Sequence, residues 1–159
     1  MRVNITPDRK LSVEKLLGQF GEGIELYFPA SPIQHEALWV GAVFENLRCV
    51  VAEGDPGAIC MAVNLIVKDP MWLPFGKLIK SDLARALRKQ AGQIEPAQRL
   101  RIISLTIRLL KSEHMPREIE DYAKLIKKFP RSEYADSLAL VEPLCDKARH
   151  IKQYLNATR

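Results

Sequence analysis

Two apolar segments joined by a short turn constrain this chain more than any other feature. Residues 37–51 and 59–67 are apolar at nearly every position, and the turn at 53–57 reads Glu-Gly-Asp-Pro-Gly. A surface helix carries one apolar stripe, so helices that are apolar nearly all round belong in the interior of a fold. The turn's glycine is suited to end one helix, and its aspartate and proline to begin another. The sequence therefore predicts two antiparallel helices, over 32–53 and 56–68, at the centre of the domain.

Proline, serine and glycine residues predict where the helices begin and end. Ser31, Pro32 and Gln34 have the order of a capping box with proline at the first helical position. The same kinds of signal, with apolar residues at helical spacing, predict further helices over 77–91, 96–111 and 116–129. A last helix should begin at Ser132, break near 140–142 because of Pro143, and continue over 144–155.

The predicted helices form three pairs, which begin near Pro32, Lys77 and Pro116. These starts are 45 and 39 residues apart, close to the repeat of roughly 40–47 residues in HEAT and armadillo arrays. We therefore expect an all-α fold, either stacked antiparallel helical hairpins or an irregular helical bundle. The whole chain, 1–159, reads as one domain, with the hairpins in 31–156.

Residues 1–30 read as an N-terminal cap segment with some strand character. Val3 and Ile5 alternate with polar neighbours, and residues 24–28 are rich in strand-forming side chains. Ser12 is placed to cap a short helix between them. This pattern predicts a two-stranded ribbon beside a helix.

Composition and cysteine usage favour an ordinary cytoplasmic domain. No apolar run reaches the ~18 residues of a membrane span, and the N-terminus lacks the apolar core of a signal peptide. Three cysteines, Cys49, Cys60 and Cys145, cannot all pair with one another, and the first two fall in the apolar segments. We expect reduced cysteines, with Cys49 and Cys60 buried, and a reducing compartment.

The known catalytic and metal-binding patterns that we considered do not fit this sequence. His35-Glu36 begins like the zinc-protease helix signature, but Trp39 stands where a second histidine would be needed one turn later. The glycines at 18, 21 and 23 follow a predicted helix rather than a strand, so a dinucleotide cradle is not expected. The sequence therefore predicts a non-enzyme without cofactor or metal, although an enzyme that lacks a recognisable motif stays open.

The basic charge is concentrated in one stretch. Residues 77–111 hold nine basic and two acidic side chains, whereas the rest of the chain is nearly balanced. If the two helices of this stretch pack as a hairpin, their polar sides form one positive surface. Such a surface attracts an acidic protein or the phosphates of a nucleic acid, or it only keeps the protein soluble. Residues 77–111 contain no Phe, Tyr or Trp for base stacking.

These observations predict a non-catalytic helical module that binds a protein partner or a second copy of itself. The alternative is a nucleic-acid-binding protein that contacts phosphates through the basic helices of 77–111. A Met-Trp-Leu-Pro-Phe string at 71–75 either fills the core or anchors a partner through Trp72. The residues predicted to bind are Trp72, Lys77, Arg85, Arg88, Arg101 and Arg108.

Overall fold

A computed structural model describes residues 7–30 and 33–157, and within them the predicted all-α class is confirmed. Eight α-helices occur in this described part: α1 (Pro7–Leu17), α2 (Glu36–Glu53), α3 (Pro56–Lys68), α4 (Gly76–Lys89), α5 (Pro96–Leu110), α6 (Ile119–Ile126), α7 (Ala135–Ala139) and α8 (Asp146–Asn156). Short 3-10 turns connect several of them.

The turn between α2 and α3 has the chemistry that the sequence predicts. Gly54 adopts a φ of 89°, and Asp55 accepts a hydrogen bond at its Oδ1 from the Ala58 backbone N–H at 2.7 Å. A Cβ at position 54 would lie 2.9 Å from the Gln93 side chain, so glycine is needed for space as well as conformation. Gln90 Nε2 also donates to the Ala52 carbonyl at 2.6 Å, which ties the end of α4 to this turn.

The helices form two layers. One layer contains α2, α4 and α6, in which α4 packs against both neighbours; α3 and α5 form the other, and α8 packs against both α5 and α6. α3 and α6 each pack against both α4 and α5. The predicted hairpin of α4 with α5 is not confirmed, because the main neighbours of α5 are α3 and α6.

Helix α3 lies at the centre, as its apolar sequence predicts. Its buried side chains point to most directions around the axis: Ala58, Ile59, Met61, Ala62, Val63, Leu65 and Ile66. A single stripe at helical spacing stays in partial contact with solvent, namely Cys60, Asn64, Val67 and Lys68. This stripe is the part of α3 that a binding partner can reach.

The N-terminal segment differs from the predicted ribbon. Residues 24–28 were predicted as a strand, but Ile24–Tyr27 form a 3-10 turn, and Val3 and Ile5 lie outside the described residues. Gly23, with a φ of 85°, starts the turn. Ile24 and Tyr27 are three residues apart and so share one side of a 3-10 helix, where both are buried. Burial of this pair on the helices therefore outweighs their strand propensity.

Several predicted boundaries shift. Helix α2 begins at Glu36, so Gln34 precedes it and cannot complete a capping box; Ser31 and Pro32 lie outside the described residues. Helix α6 begins at Ile119 rather than at Pro116. The predicted interruption before Pro143 is confirmed, since α7 ends at Ala139 and α8 begins at Asp146.

Cys49 is exposed on α2, so its predicted burial is wrong; Cys60 is half-buried, and all three cysteines are free thiols. Packing of α3 and α4 against α2 buries Leu47 and Val51 but leaves the side with Cys49 uncovered. Among the described residues, no helix is long and apolar enough to cross a membrane.

Candidate partner-binding surface

A groove between α3 and α5 brings together two of the residues that the sequence predicts to bind. It has a volume of about 390 Å³ and is lined by Val67, Leu100, Arg101, Ser104, Leu105 and Arg108. Arg101, Ser104 and Arg108 follow helical spacing along α5 and are exposed. Leu100 is 51% exposed and leaves apolar surface beside the arginines. The groove therefore combines an apolar floor with a cationic border.

Arg101 is held in position by a short chain of hydrogen bonds. Its Nη1 donates to Asn64 Oδ1 at 2.8 Å, and Asn64 Nδ2 donates to the Phe20 carbonyl at 2.8 Å. Because the backbone carbonyl accepts from the amide nitrogen, the amide oxygen is directed toward the arginine. Arg101 thus extends across from α5 to α3, and its remaining N–H groups stay available to an acceptor in the groove.

The two helices that form the groove contain no acidic residue. Neither Pro56–Lys68 nor Pro96–Leu110 includes Asp or Glu. Within residues 7–30 and 33–157, neither Arg101 nor Arg108 has an ion-pair partner, and Asn64 is a neutral acceptor. The charge of these two guanidinium groups is therefore not neutralised by a pairing carboxylate, which favours an anionic ligand.

Two basic residues of α4, Lys80 and Arg85, are in a different electrostatic situation. Lys80 is 7% exposed and forms ion pairs with Asp69 and with Glu118, whose Oε1 lies 2.7 Å from the Lys80 Nζ. Burial alone lowers the pKa of Lys80, but the hydrogen bonds and charges of Asp69 and Glu118 outweigh it, so the pKa lies above its ordinary value. Lys80 is therefore a charged structural group inside the fold and cannot contact a partner.

Arg85 on α4 is also neutralised from within the molecule. Its Nε donates to Asp121 Oδ1 at 3.1 Å, its Nη2 donates to Asp121 Oδ2 at 3.2 Å, and its Nη1 donates to Asp82 Oδ1 at 3.1 Å. The hydrogen bonds to Asp121 raise the pKa of Arg85 further above its ordinary value. Although Arg85 is exposed, two carboxylates already occupy its donors.

Lys77 and Arg88, the other predicted residues of α4, lie apart from the α3–α5 groove. Lys77 is exposed and borders a separate depression with Met71, Phe75 and Leu78. Arg88 lies half-buried in the last turn of α4. The structure thus divides the predicted basic site between two layers and brings only Arg101 and Arg108 together.

The sequence left open whether Trp72 fills the core or anchors a partner, and the structure shows it partly packed and partly exposed. Its ring stacks on Phe20, with centroids 6.4 Å apart, and the side chain remains 37% exposed. The neighbours Met71 and Phe75 are more exposed, at 94% and 55%. Trp72 therefore packs against the fold, while Met71 and Phe75 form most of the apolar surface of this connector.

Asn64, the hydrogen-bond partner of Arg101, and the groove residue Leu100 were not predicted from the sequence. Asn64 is the only amide side chain in the apolar run of α3, and this polar interruption was the signal available. Leu100 lies between Arg99 and Arg101. Because Leu100 precedes the buried Ile103 by three residues, periodicity places the two on the same side of α5, and it cannot predict that no neighbouring helix covers Leu100.

Other polar groups gather in a second depression of about 380 Å³ between α6 and α8, whose lining includes Glu120, Lys147 and His150. Within the two described ranges, no group of three His, Cys, Asp or Glu side chains is placed to hold a metal ion. His35 precedes α2, His114 lies in the loop before α6, and His150 lies on α8, all exposed. What the α3–α5 groove can do chemically is bind: it offers guanidinium donors, a hydroxyl group and apolar contacts.

Comparison with known proteins adds no information about what the α3–α5 groove binds. No protein-family model, no curated protein and no solved structure gives a significant match to this chain.

Proposed function

We propose that this chain is a non-catalytic helical module that binds an acidic protein partner in the α3–α5 groove. The observation that carries the proposal is the pair Arg101 and Arg108, which border an apolar floor on two helices without any acidic residue. Arg101 is already oriented by Asn64, so less side-chain entropy is lost when a partner carboxylate binds. Three other predicted residues, Trp72, Lys77 and Arg88, lie outside the groove. The charges of Lys77 and Arg88 add to the long-range electrostatic field that attracts the partner.

A protein fits this groove better than a nucleic acid does. Val67, Leu100 and Leu105 offer apolar surface that a partner's side chains can cover. A phosphate backbone has no comparable apolar group, and α4 and α5 carry no aromatic side chain on which bases could stack. We also retain the expectation of a cytoplasmic location from the sequence.

The proposal is tested by affinity capture from a cell extract, with the chain as bait and charge-matched variants. Arg101→Glu/Arg108→Glu reverses the groove charge, and Lys124→Glu/Lys128→Glu makes the same change in net charge at exposed positions of α6 and its C-terminal turn. We expect the first variant to lose a partner that the wild type and the second variant both retain. Equal capture by all three proteins would contradict the proposal.

A nucleic-acid-binding protein remains the second candidate, since α5 carries three arginines and no acidic residue. Titration with duplex DNA across a salt series separates the two candidates. If phosphates are the ligand, affinity falls steeply with salt, by a log–log slope of roughly 0.9 per phosphate contact, and Arg101→Glu/Arg108→Glu flattens that slope. If a protein is the ligand, we expect no measurable duplex binding near physiological salt.

A further inference from the structure

We infer that the partner segment in the α3–α5 groove is an amphipathic α-helix with two carboxylates spaced seven residues apart. This inference rests on the proposed function and specifies the partner's chemistry. Arg101 and Arg108 are seven residues apart on α5, so they lie on one side of the helix. Two helical turns separate them by about 10.5 Å along the axis.

The spacing of the arginines selects a helix over an extended segment. A partner helix lying along α5 presents residues i and i+7 on one side at the same separation. An extended peptide covers about 10 Å in three residues, but residues i and i+3 of a strand point to opposite faces. A helical partner therefore places one carboxylate along α5 beside each arginine and keeps both on the side that faces the groove, whereas a regular strand with carboxylates three residues apart does not.

The floor of the groove specifies the residues between the carboxylates. Leu100, Leu105 and Val67 form apolar surface between and beside the two arginines. A partner helix that places leucine at i+3 and i+4 directs apolar side chains to the same side as its carboxylates. Such a segment buries the exposed half of Leu100, which has no cover among the described residues.

The hydrogen bond from Arg101 to Asn64 makes the two arginines unequal. Asn64 accepts one hydrogen bond from the guanidinium of Arg101, whereas the Arg108 side chain has no partner within residues 7–30 and 33–157. A planar fork held in place binds a carboxylate through two N–H groups, and lysine cannot reproduce this geometry. We therefore expect Arg101→Lys to weaken binding more than Arg108→Lys does, although both variants keep the charge.

The test uses two synthetic helical peptides of identical composition. The matched peptide has glutamates at i and i+7 and leucines at i+3 and i+4; the mismatched peptide moves the second glutamate to the opposite side. Binding is measured by fluorescence anisotropy against the full chain at low and physiological salt. We expect the matched peptide to bind at least about tenfold more tightly, and Arg101→Glu/Arg108→Glu to abolish this preference. The variant Lys124→Glu/Lys128→Glu should retain it.

Other results would overturn the inference. Equal affinity for both peptides would show that total charge, not helical spacing, governs binding. Tighter binding of a proline-containing acidic peptide, which cannot form the helix, would favour an extended partner. If these peptide results fail but Arg101→Glu/Arg108→Glu still loses a captured protein, the helical partner is wrong and the proposed function stands. If capture is also unchanged, the groove is not the binding site.

Discussion

Helices α4 and α5 both have basic sequences, and in each helix the fold pairs some cations with carboxylates and leaves others without an ion pair among the described residues. On α4, Lys80 and Arg85 are paired with four carboxylates, which come from α4 itself, the connector before it and the segment that includes α6. On α5, Arg101 meets only the neutral amide of Asn64, and Arg108 has no partner in the described part of the chain. The local excess of basic residues therefore overstates the positive field at Lys80 and Arg85 in the middle of α4, and it describes more faithfully the field at Arg101 and Arg108 on the groove side of α5.

Arg99, the remaining arginine of α5, shows the difference within a single helix. Its Nε donates to Glu133 Oε2 at 2.8 Å, its Nη1 donates to the Ile94 carbonyl at 2.7 Å, and its guanidinium lies 6.0 Å from the Phe129 ring centroid. The hydrogen bond from Arg99 lowers the pKa of the Glu133 carboxyl below its ordinary value. Arg99 thus fastens α5 to the segment that follows α6, and only the next two arginines face the groove.

The two helices also begin differently. Helix α5 starts with Pro96 at its first position and a capping box between Glu95 and Gln98. Helix α4 starts after Phe75, which adopts a left-handed φ of 55°. That conformation brings the Cβ of an L-residue close to its own following carbonyl oxygen and costs about 1–2 kcal/mol. The start of α5 is therefore relaxed, whereas the start of α4 carries strain next to the exposed connector.

The largest effect is expected from removing the buried cation of α4. Lys80→Met keeps the aliphatic length but leaves Glu118, which is 2% exposed, without its counter-charge. We expect a loss of about 3–5 kcal/mol in the free energy of unfolding, measured by urea denaturation. The control Lys77→Met, at an exposed position of the same helix, should change it by less than about 0.5 kcal/mol. Similar losses in the two variants would contradict the buried-pair account.

Arg99→Met and Arg101→Met sharpen the comparison within α5. Arg99→Met removes charged hydrogen bonds to Glu133 and the Ile94 carbonyl, and we expect it to cost about 2 kcal/mol of stability. Arg101→Met removes an exposed hydrogen bond to Asn64 and should cost about 0.5 kcal/mol or less. Denaturation curves of both variants test this order. If Arg101→Met is the more destabilising variant, the assignment of Arg99 as the structural arginine is wrong.

Alkaline pH should weaken the α4 cluster. Because the pKa of Lys80 is raised above 10.5 in the folded state, its contribution to stability is complete below pH 10.5 and is lost as pH rises through the folded pKa. Each such group changes the free energy of unfolding by at most about 1.4 kcal/mol per pH unit. We expect unfolding measured between pH 9 and about 12 to show a shallower loss in Lys80→Met than in the wild type.

A second variant for the alkaline experiment is Tyr122→Phe. Burial raises the pKa of Tyr122 above its ordinary value of 10.0, so this group also loses its contribution as pH rises. The variant should remove a second part of the alkaline slope, and its effect should be coupled to that of Lys80→Met, because Glu118 and Asp69 act on the pKa of both groups. If neither variant changes the slope, the alkaline loss arises elsewhere and the raised pKa values are wrong.

The strain at Phe75 gives the smallest predicted difference. Phe75→Gly and Phe75→Ala remove the same half-exposed ring, but only glycine adopts a φ of 55° at little cost. We expect the glycine variant to be more stable than the alanine variant by about 1 kcal/mol in thermal or urea unfolding. If alanine is the more stable of the two, Phe75 does not carry backbone strain.

Local chemistry could be predicted from the sequence, and long-range pairing could not. The cap at Asp55, the proline start of α5 and the break before Pro143 depend on neighbouring residues, so the sequence predicts them directly. The pairing of Lys80 with Glu118 spans 38 positions and depends on how α6 packs against α4. The 3-10 turn at Ile24 and Tyr27 likewise forms because the helices bury both side chains.

In the candidate site, too, local features could be predicted from the sequence and the packing of distant helices could not. The sequence identified Arg101 and Arg108 as exposed cations, because periodicity determines which side of an amphipathic helix faces out. It also grouped them with Lys77, Arg85 and Arg88, because it assumed that α4 packs on α5. The groove became visible only with α3 in place beside α5.

The most direct test of the α5 assignment is the affinity of the matched peptide for two variants with equal changes in net charge. Arg101→Glu/Arg108→Glu alters the groove on α5, and Lys77→Glu/Arg88→Glu alters α4. If the groove is the binding site, the α5 variant loses at least about tenfold in affinity, and the α4 variant stays within about threefold of the wild type. Equal losses in both variants, or a larger loss in the α4 variant, would contradict the assignment.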